Sequence, residues 1–141
     1  MIDVKVRLDD GAYMPTRGHA ADAGLDLRTP RRVYIPSLDS VEVDTGVHLT
    51  IPDGYCGLIV AKSGLNINEK ITVTGLIDAN FTNSIKLRLY NHNDIGAYEL
   101  EAGDKCAQIV FLEVPYARLV LDVVQKPNKE RGDDGYGSTG R

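Results

Sequence analysis

Apolar residues recur at every second position over much of the chain, and this spacing predicts β-strands. The first such run extends from Ile2 to Leu8, with charged residues at the alternate positions. A strand with one buried and one solvent-exposed face shows this period of two. Two continuous apolar runs, Tyr55–Val60 and Ala107–Leu112, have the length of fully buried strands. Further alternating runs lie at Val41–Val43, Val47–Ile51, Ile85–Leu89 and Leu119–Val123.

Short turn sequences rich in Pro, Gly, Asn and Asp separate these runs, as at 52–54 and 91–94. Many short strands at such close spacing are typical of an all-β protein, either a distorted β-barrel or a double-sheet jelly roll. A helix of only one or two turns is expected, near Gly64–Lys70. With 141 residues, the chain has the length of a single domain.

The C-terminal end departs from the strand pattern. Four of the last ten residues are Gly, and Tyr136 is the only large side chain after residue 127. Such a segment buries too little apolar area to offset its ordering entropy. We therefore expect residues 1–127 to form the β core and 128–141 to be a mobile arm. The arm carries an Arg, two hydroxyls and an aromatic ring, which suit binding to a polyphosphate and covering a ring.

Composition excludes several classes of partner. The formal charge is −4, Trp is absent and Phe occurs twice, so neither a basic surface nor an aromatic stacking platform for nucleic acid is expected. No apolar stretch approaches the ~20 residues of a membrane-spanning helix. Charged residues near the N-terminus argue against a signal peptide. These features predict a soluble, cytoplasmic protein with no membrane or nucleic-acid partner.

Cysteine and histidine do not form a recognisable reactive or metal-binding motif. Cys56 and Cys106 stand alone in apolar runs, which favours buried structural thiols. His19, His48 and His92 are widely spaced, which favours surface or strand-face positions over a metal cluster. Carboxylates with a bound divalent cation are therefore the expected chemical tools.

Four short Gly-bearing polar segments lie between the strands. Ala23–Leu27 places an acid in an apolar frame, and Lys62–Gly64 combines a cation and a hydroxyl at a predicted helix start, which suits an anion. In Gly75–Asp78, the carboxylate of Asp78 follows an apolar residue. At the mouth of a dry pocket such a carboxylate can deprotonate water, although an acid that fixes a turn explains it equally well. Gly103–Gln108 leads a polar amide into a buried strand.

The order of these segments, together with the Gly-rich end, resembles the trimeric all-β dUTP diphosphatase (dUTPase) family. Its five motifs are matched by Ala23–Leu27, Lys62–Gly64, Gly75–Asp78, Gly103–Gln108 and Arg131–Gly140. The resemblance implies Mg²⁺-dependent hydrolysis of dUTP to dUMP and pyrophosphate by in-line attack of water on the α-phosphate. It also implies a homotrimer with sites between subunits, and a role in keeping uracil out of DNA and supplying dUMP for dTMP synthesis.

The resemblance also implies roles for individual residues. Asp78 would orient or deprotonate the water, and Gln108 would support the α-phosphate or that water. Asp26 would contact, through water, a Mg²⁺ held mainly by the triphosphate. Ser63 and its backbone neighbours would hold the oxygens around the α–β bridge, and Phe81 would pack on the deoxyribose. The substrate-binding residues implied are Lys62, Ser63, Gly64, Thr72, Gly75, Leu76, Ile77, Phe81, Lys86, Arg131, Tyr136, Gly137, Ser138 and Thr139.

The resemblance further implies that base selection comes from a hairpin around Thr72–Lys86, whose backbone would pair with uracil. Within the arm, Arg131, Ser138 and Thr139 would bind the γ-phosphate, and Tyr136 would cover the uracil ring.

Several positions depart from the family pattern. Lys62 and Lys105 stand where arginines are usual, which keeps the charge and loses bidentate geometry. Thr72 stands where an asparagine usually contacts uracil, and Phe81 replaces the common tyrosine. Asn83 replaces a glycine, and asparagine tolerates the positive φ that such a turn needs.

Two alternatives stay open at this point. The first is a dCTP deaminase relative, which shares the fold; however, Arg88 stands where the deaminases carry a catalytic glutamate, and Gly64 where they carry a second serine. The second is a catalytically weak dUTP-binding regulatory homologue. The substitutions motivate it, whereas the presence of Asp78, Ser63 and Gln108 argues against it.

Overall fold

The computed structural model describes residues 1–121, which form ten strands and one short helix. The strands are β1 Lys5–Leu8, β2 Leu25–Arg28, β3 Val33–Ile35, β4 Ser40–Thr50, β5 Tyr55–Val60, β6 Ile71–Thr72, β7 Thr74–Ile77, β8 Ser84–Asn91, β9 Tyr98–Leu100 and β10 Lys105–Glu113. The short helix spans Gly64–Asn68. The predicted all-β fold with one short helix is thus confirmed.

The strands pair antiparallel in three sheets. One four-stranded sheet has the order β1-β4-β8-β6, a second has the order β2-β10-β5-β7, and β3 pairs with β9. Within residues 1–121 these sheets stay open and do not close into a barrel. Of the two predicted architectures, the jelly roll with two large sheets is therefore the correct one.

Apolar side chains from both larger sheets form one buried cluster. In the first sheet, Val43 of β4 pairs with Leu87 of β8, and both are fully or almost fully buried. In the second sheet, Ile59 of β5 pairs with Ile109 of β10, and both are buried as well. The alternation of the sequence therefore sets which face of each strand contributes to the core.

Strand β4 contains an irregularity in its pairing with β8. Asp44 pairs with Lys86 whereas His48 pairs with Ser84, so β4 has two more residues than β8 between these pairs. Gly46 adopts φ +66° within the irregular stretch, a conformation that side chains with a Cβ rarely adopt. The hydroxyl of Thr45 donates to the Ile85 carbonyl at 2.8 Å, so this buried polar group is satisfied.

The strand predicted at Leu119–Val123 is wrong over its described part. Leu119 and Leu121 are almost fully exposed and lie outside any strand. Alternation alone does not form a strand, because the backbone also needs a neighbouring strand for hydrogen bonding. Positions 122–123 and the arm 128–141, with Arg131, Tyr136, Gly137, Ser138 and Thr139, lie outside the described residues. Among residues 1–121, no helix has the length and apolar character needed to cross a membrane.

Candidate active site

Three adjacent strands of the second sheet bring Asp26, Gln108 and Lys62 together. Gln108 of β10 lies opposite Asp26 of β2 on one side and opposite Val60 of β5 on the other. Residues directly opposite in neighbouring strands point to the same face of a sheet, so Asp26 and Gln108 are side by side. Lys62 follows the end of β5 and reaches back to the Asp26 carboxylate.

Asp26 is a buried carboxylate held between two ammonium groups. Only 4% of the residue is exposed; Lys62 Nζ forms an ion pair with Oδ1, and Lys105 Nζ lies 2.7 Å from Oδ2. Burial acts to raise the pKa of Asp26, but the hydrogen bonds from Lys105 and Lys62 outweigh it, so the pKa is lowered. The carboxylate therefore stays ionised at neutral pH and holds two cations at one place.

Lys105 also belongs to this cluster; it lies in the matched motif Gly103–Gln108, but it was not among the residues predicted to bind substrate or act in catalysis. Its position at the start of β10, three residues before Gln108, was visible in the sequence. Its contact with Asp26 was not, because that contact joins two separate strands. We call Asp26, Lys62, Lys105 and Gln108 the lysine–carboxylate cluster.

The side chain of Gln108 is fixed by its own hydrogen bond and by Gly24. Its Nε2 donates to the Ala61 carbonyl at 3.2 Å. A Cβ on Gly24 would lie 3.0 Å from Gln108 Cδ and 3.1 Å from its Cβ, tighter than ordinary contact. A glycine at position 24 therefore leaves the space that the Gln108 amide occupies.

We expect Gly24→Ala to displace the Gln108 amide. If Gln108 acts in the dUTP hydrolysis that the resemblance implies, kcat for dUTP should fall by about tenfold, a loss in the range caused by small misplacements in an active site. The loss of unfolding free energy should be modest, about 1 kcal/mol, because one hydrogen bond weakens. Activity assays and urea denaturation check the two effects. Gly54→Ala is the control for overall stability. At φ +84° a side chain strains the backbone of residue 54, although no atom lies within 4 Å of the added Cβ, so this variant should lose stability without displacing Gln108. Wild-type kcat in Gly24→Ala would contradict the expectation.

Ser63 and Gly64 lie at the start of the short helix, next to the lysine–carboxylate cluster. The amide of Asn66 donates to the Lys62 carbonyl at 2.9 Å, which fixes the first turn. Ser63 makes no side-chain capping hydrogen bond, and both residues are exposed. Nothing lies within 4 Å of a Cβ on Gly64, so a ligand can approach the backbone closely here.

Asp78 lies apart from this cluster within one chain. Strand β7 pairs with β5 so that Thr74 is opposite Val60 and Ile77 is opposite Gly57. The four residue steps from Thr74 to Asp78 span roughly 13 Å along the strand, away from Lys62. Asp78 is also solvent-exposed, so the predicted dry pocket around it is not formed by residues 1–121 of a single chain.

The turn that follows Asp78 is anchored to the segment at the end of β4. The Phe81 amide donates to the Asp78 carbonyl at 3.3 Å, and the Asn80 amide donates to the Ile51 carbonyl at 3.0 Å. Asn80 also donates through its side chain to Asp53 at 2.7 Å. We call residues 78–82 the Asp78 turn.

The positive φ expected in this region falls at a different asparagine. Asn80 adopts φ +61°, whereas Asn83 does not adopt a positive φ. The chain thus bends three residues earlier than the position where the family glycine was expected. Phe81 comes directly after the bend, with 39% of its surface exposed.

The segment Thr72–Lys86 is not a simple hairpin. Thr72 pairs with Tyr90 in the first sheet, whereas Thr74–Ile77 pairs with β5 in the second. Val73 is buried where the chain passes from the first sheet to the second. The alternation of apolar and polar residues in the sequence does not reveal such a crossing. Gly75, Leu76 and Ile77 therefore lie along β7.

Thr72 and Lys86 have neighbours on the first sheet. The Thr72 hydroxyl lies 2.7 Å from His92 Nε2, at hydrogen-bond distance. Lys86 Nζ donates to Glu42 at 3.3 Å, as does Arg88, so both cations lie on the exposed face of β8. In one chain these residues do not contact the lysine–carboxylate cluster.

No group of three His, Cys, Asp or Glu side chains within residues 1–121 is arranged to hold a metal ion. Both oxygens of Asp26 are already paired with ammonium groups. This donor set does not fit a divalent cation ligated by the protein alone. It does fit an ion carried by a polyphosphate, which Asp26 would contact through water.

Both cysteines lie in the described part of the chain, and both are structural. Cys56 and Cys106 are buried and free. Burial raises the pKa of Cys106 to about 12, so the thiol stays protonated and unreactive.

Comparisons with known proteins show the family of this chain. A protein-family model described as dUTPase matches residues 10–140. The deoxyuridine 5′-triphosphate nucleotidohydrolase of Nocardia farcinica is 38% identical over 137 residues, which cover 95% of this chain and 82% of that protein.

Solved structures also resemble the chain. The dUTPase of Staphylococcus bacteriophage 80alpha with dUPNHPP is 26% identical, with a TM-score of 0.92 and full coverage of both chains. A variant of the dUTPase from phage phi11 of S. aureus, described with a structural Mg(II) ion, is 25% identical, with a TM-score of 0.81 over 89% of this chain and 100% of that one. Because the family model spans nearly the whole chain and curated relatives exceed 30% identity over most of it, this protein belongs to the dUTPase family.

Proposed function

We propose that this protein hydrolyses dUTP to dUMP and pyrophosphate. The observation that carries the proposal is the lysine–carboxylate cluster, in a chain that belongs to the dUTPase family. Asp26 holds two ammonium groups beside the Gln108 amide and the exposed start of the short helix. This combination suits a polyanion that gains negative charge at a leaving group.

The phosphate-binding half of the site follows from these contacts. Lys62, Lys105 and the backbone around Ser63 would stabilise the leaving pyrophosphate as the bond between the α-phosphorus and the bridging oxygen breaks. Gln108 would hold the α-phosphate or the attacking water. Asp26 would contact, through water, a Mg²⁺ ion carried by the triphosphate, and that ion would neutralise part of the phosphate charge.

The water-activating half is assigned to the Asp78 turn of another subunit. Asp78 would accept a proton from the water that attacks the α-phosphate, and Phe81 would pack on the deoxyribose. Since Asp78 is exposed and distant from Lys62 along the sheet, the site is proposed to lie between subunits. The proposal that these subunits form a homotrimer rests on the family to which the chain belongs. The C-terminal arm, with Arg131 and Tyr136, keeps its proposed role of binding the γ-phosphate and covering the base.

Neither alternative function gains support. The position at which a deaminase needs a glutamate is Arg88, which is paired with Glu42 on the exposed face of β8. The lysine–carboxylate cluster is complete, which argues against a decayed site. The reaction would limit uracil incorporation into DNA and supply dUMP.

The proposed function is tested by pyrophosphate release from dUTP, dTTP, dCTP and UTP with Mg²⁺. We expect turnover of dUTP at least about a hundredfold above the others, because a site that pairs with the base edge and closes on the sugar rejects each mismatch strongly. A chelator should abolish the release. Binding of dUTP without turnover would overturn the proposal in favour of a regulatory homologue, and ammonia release from dCTP would favour the deaminase.

A further inference from the structure

His48 lies between the end of β1 and the Asp78 turn, and it has no part in the proposed reaction. It is on β4 directly after the irregular stretch, and its side chain is only 12% exposed. Its Nε2 lies 2.9 Å from Asp9 Oδ2 and its Nδ1 lies 2.8 Å from the Thr82 carbonyl oxygen. The ring therefore bridges the residue after β1 and the last residue of the Asp78 turn.

Both of these partners are acceptors only. A carboxylate and a backbone carbonyl cannot donate, so the imidazole satisfies both only when both ring nitrogens carry a proton. The bridge is thus complete in the imidazolium form. In the neutral form one nitrogen carries a lone pair, and one of the two contacts becomes repulsive.

Arg7 decides which contact is lost. Its Nη1 lies 2.8 Å from Asp9 Oδ1, while its Nη2 lies 2.7 Å from His48 Nδ1 and 2.9 Å from Nε2. In the neutral form, Nε2–H can keep donating to Asp9, and the bare Nδ1 can accept from Arg7. The Thr82 carbonyl then loses its donor. Arg7 and Thr82 therefore compete for the same ring nitrogen.

The hydrogen bonds that the ring makes favour its protonated, bridged form. The hydrogen bond to Asp9 raises the pKa of His48 above its ordinary value, the contact with Thr82 acts in the same direction, and burial and the Arg7 charge oppose them. The pKa of Asp9 is lowered by the same hydrogen bond. Because the folded-state pKa is raised, the contribution of the bridge is fully present below the ordinary histidine pKa. It is lost as pH rises through the raised value.

We propose that His48 is a positioning residue for the Asp78 turn: its imidazolium ties the Thr82 carbonyl to Asp9, and deprotonation releases the turn. The inference rests on the proposed function, since Asp78 and Phe81 act through this turn. Asn80 holds the middle of the turn to Ile51 and Asp53, and His48 supplies the tether at its last residue, Thr82.

The test compares kcat of the wild type with that of His48→Gln from about pH 6 to about pH 9, across the titration range of histidine. Glutamine places a neutral amide here and has no charge to lose. The wild-type to variant ratio of kcat should be about tenfold at the acidic end and approach one at the alkaline end, where the histidine is neutral. Taking a ratio removes the pH dependence of the chemical step itself. A ratio that does not change with pH would overturn the proposal.

His19→Gln is the matched control, because His19 is also paired with an aspartate, at 3.4 Å from Asp22, but is 89% exposed. Its ratio should stay near one at every pH. A second measurement is independent of catalysis: NMR titration of the imidazoles. We expect the His48 pKa to lie above the ordinary value and to fall in Asp9→Asn. The chemical shift of the Asn83 amide, which shares a peptide group with the Thr82 carbonyl, should change over the same pH range as the His48 ring.

These measurements separate the two proposals. If dUTP is not hydrolysed while the His48 titration moves the Asn83 amide, the function fails and the bridge stands. If dUTP is hydrolysed but the His48 titration leaves the Asn83 amide unmoved, the bridge fails and the function stands.

Discussion

Replacing Asp78 with Asn should lower kcat for dUTP by about 10²–10⁴-fold, the range that a positioned general base contributes. The amide occupies almost the same volume as the carboxylate but does not accept a proton from water at neutral pH. Binding of dUTP should persist, because the phosphates are assigned to the lysine–carboxylate cluster in another part of the fold. The expected signature is therefore a loss in kcat with a dissociation constant that changes little.

Pyrophosphate release and calorimetric titration with a non-hydrolysable dUTP analogue separate these two quantities. Asp94→Asn is a suitable control, because it makes the same chemical change at an exposed loop position. Both variants should fold like the wild type, since both carboxylates are exposed and surface substitutions usually cost less than ~0.5 kcal/mol. Unchanged turnover in Asp78→Asn would remove Asp78 from the reaction.

The sequence predicted best those features that a single strand encodes. The limits of β5, Tyr55–Val60, agree with its apolar run, but the expectation of a fully buried strand is wrong, because Tyr55, Leu58 and Val60 are only partly buried. The short helix was also placed correctly, at Gly64–Asn68. The fold class follows from such local patterns, since alternation with frequent turns leaves few other architectures.

Features that depend on contacts between strands could not be predicted in the same way. Lys105 joins the site through Asp26, from which it is far away in sequence, and strand pairing alone creates that contact. The family resemblance implied a hairpin around Thr72–Lys86. The sequence did not reveal the crossing at Val73, where the pairing partner changes from β8 to β5. His48 carried no sequence signal, since its role depends on an irregular stretch of β4 that brings Asp9 and Thr82 to one ring.

Because Asp78 is separated from the lysine–carboxylate cluster, we expect activity to be recovered when two inactive variants are mixed. Asp78→Asn lacks the base, and Asp26→Asn lacks the carboxylate that holds Lys62 and Lys105. Each alone should have less than about a hundredth of wild-type activity, as for the loss of one key electrostatic group. If every site takes its cluster from one chain and Asp78 from a neighbour, random co-assembly leaves about a quarter of the sites intact.

The mixture is prepared by unfolding and refolding equal amounts of the two variants together, and pyrophosphate release is compared with that of the variants refolded separately. A matched control mixes wild type with a chain that carries both substitutions. Sites shared between two chains again leave about a quarter of the activity, whereas sites within one chain leave about half, because each wild-type subunit then works alone. Recovery in the first mixture with a quarter in the second is the result that the strand register of β5 and β7 leads us to expect. No recovery in the first and half in the second would place Asp78 and Asp26 of one chain in the same site and would overturn the shared-site arrangement.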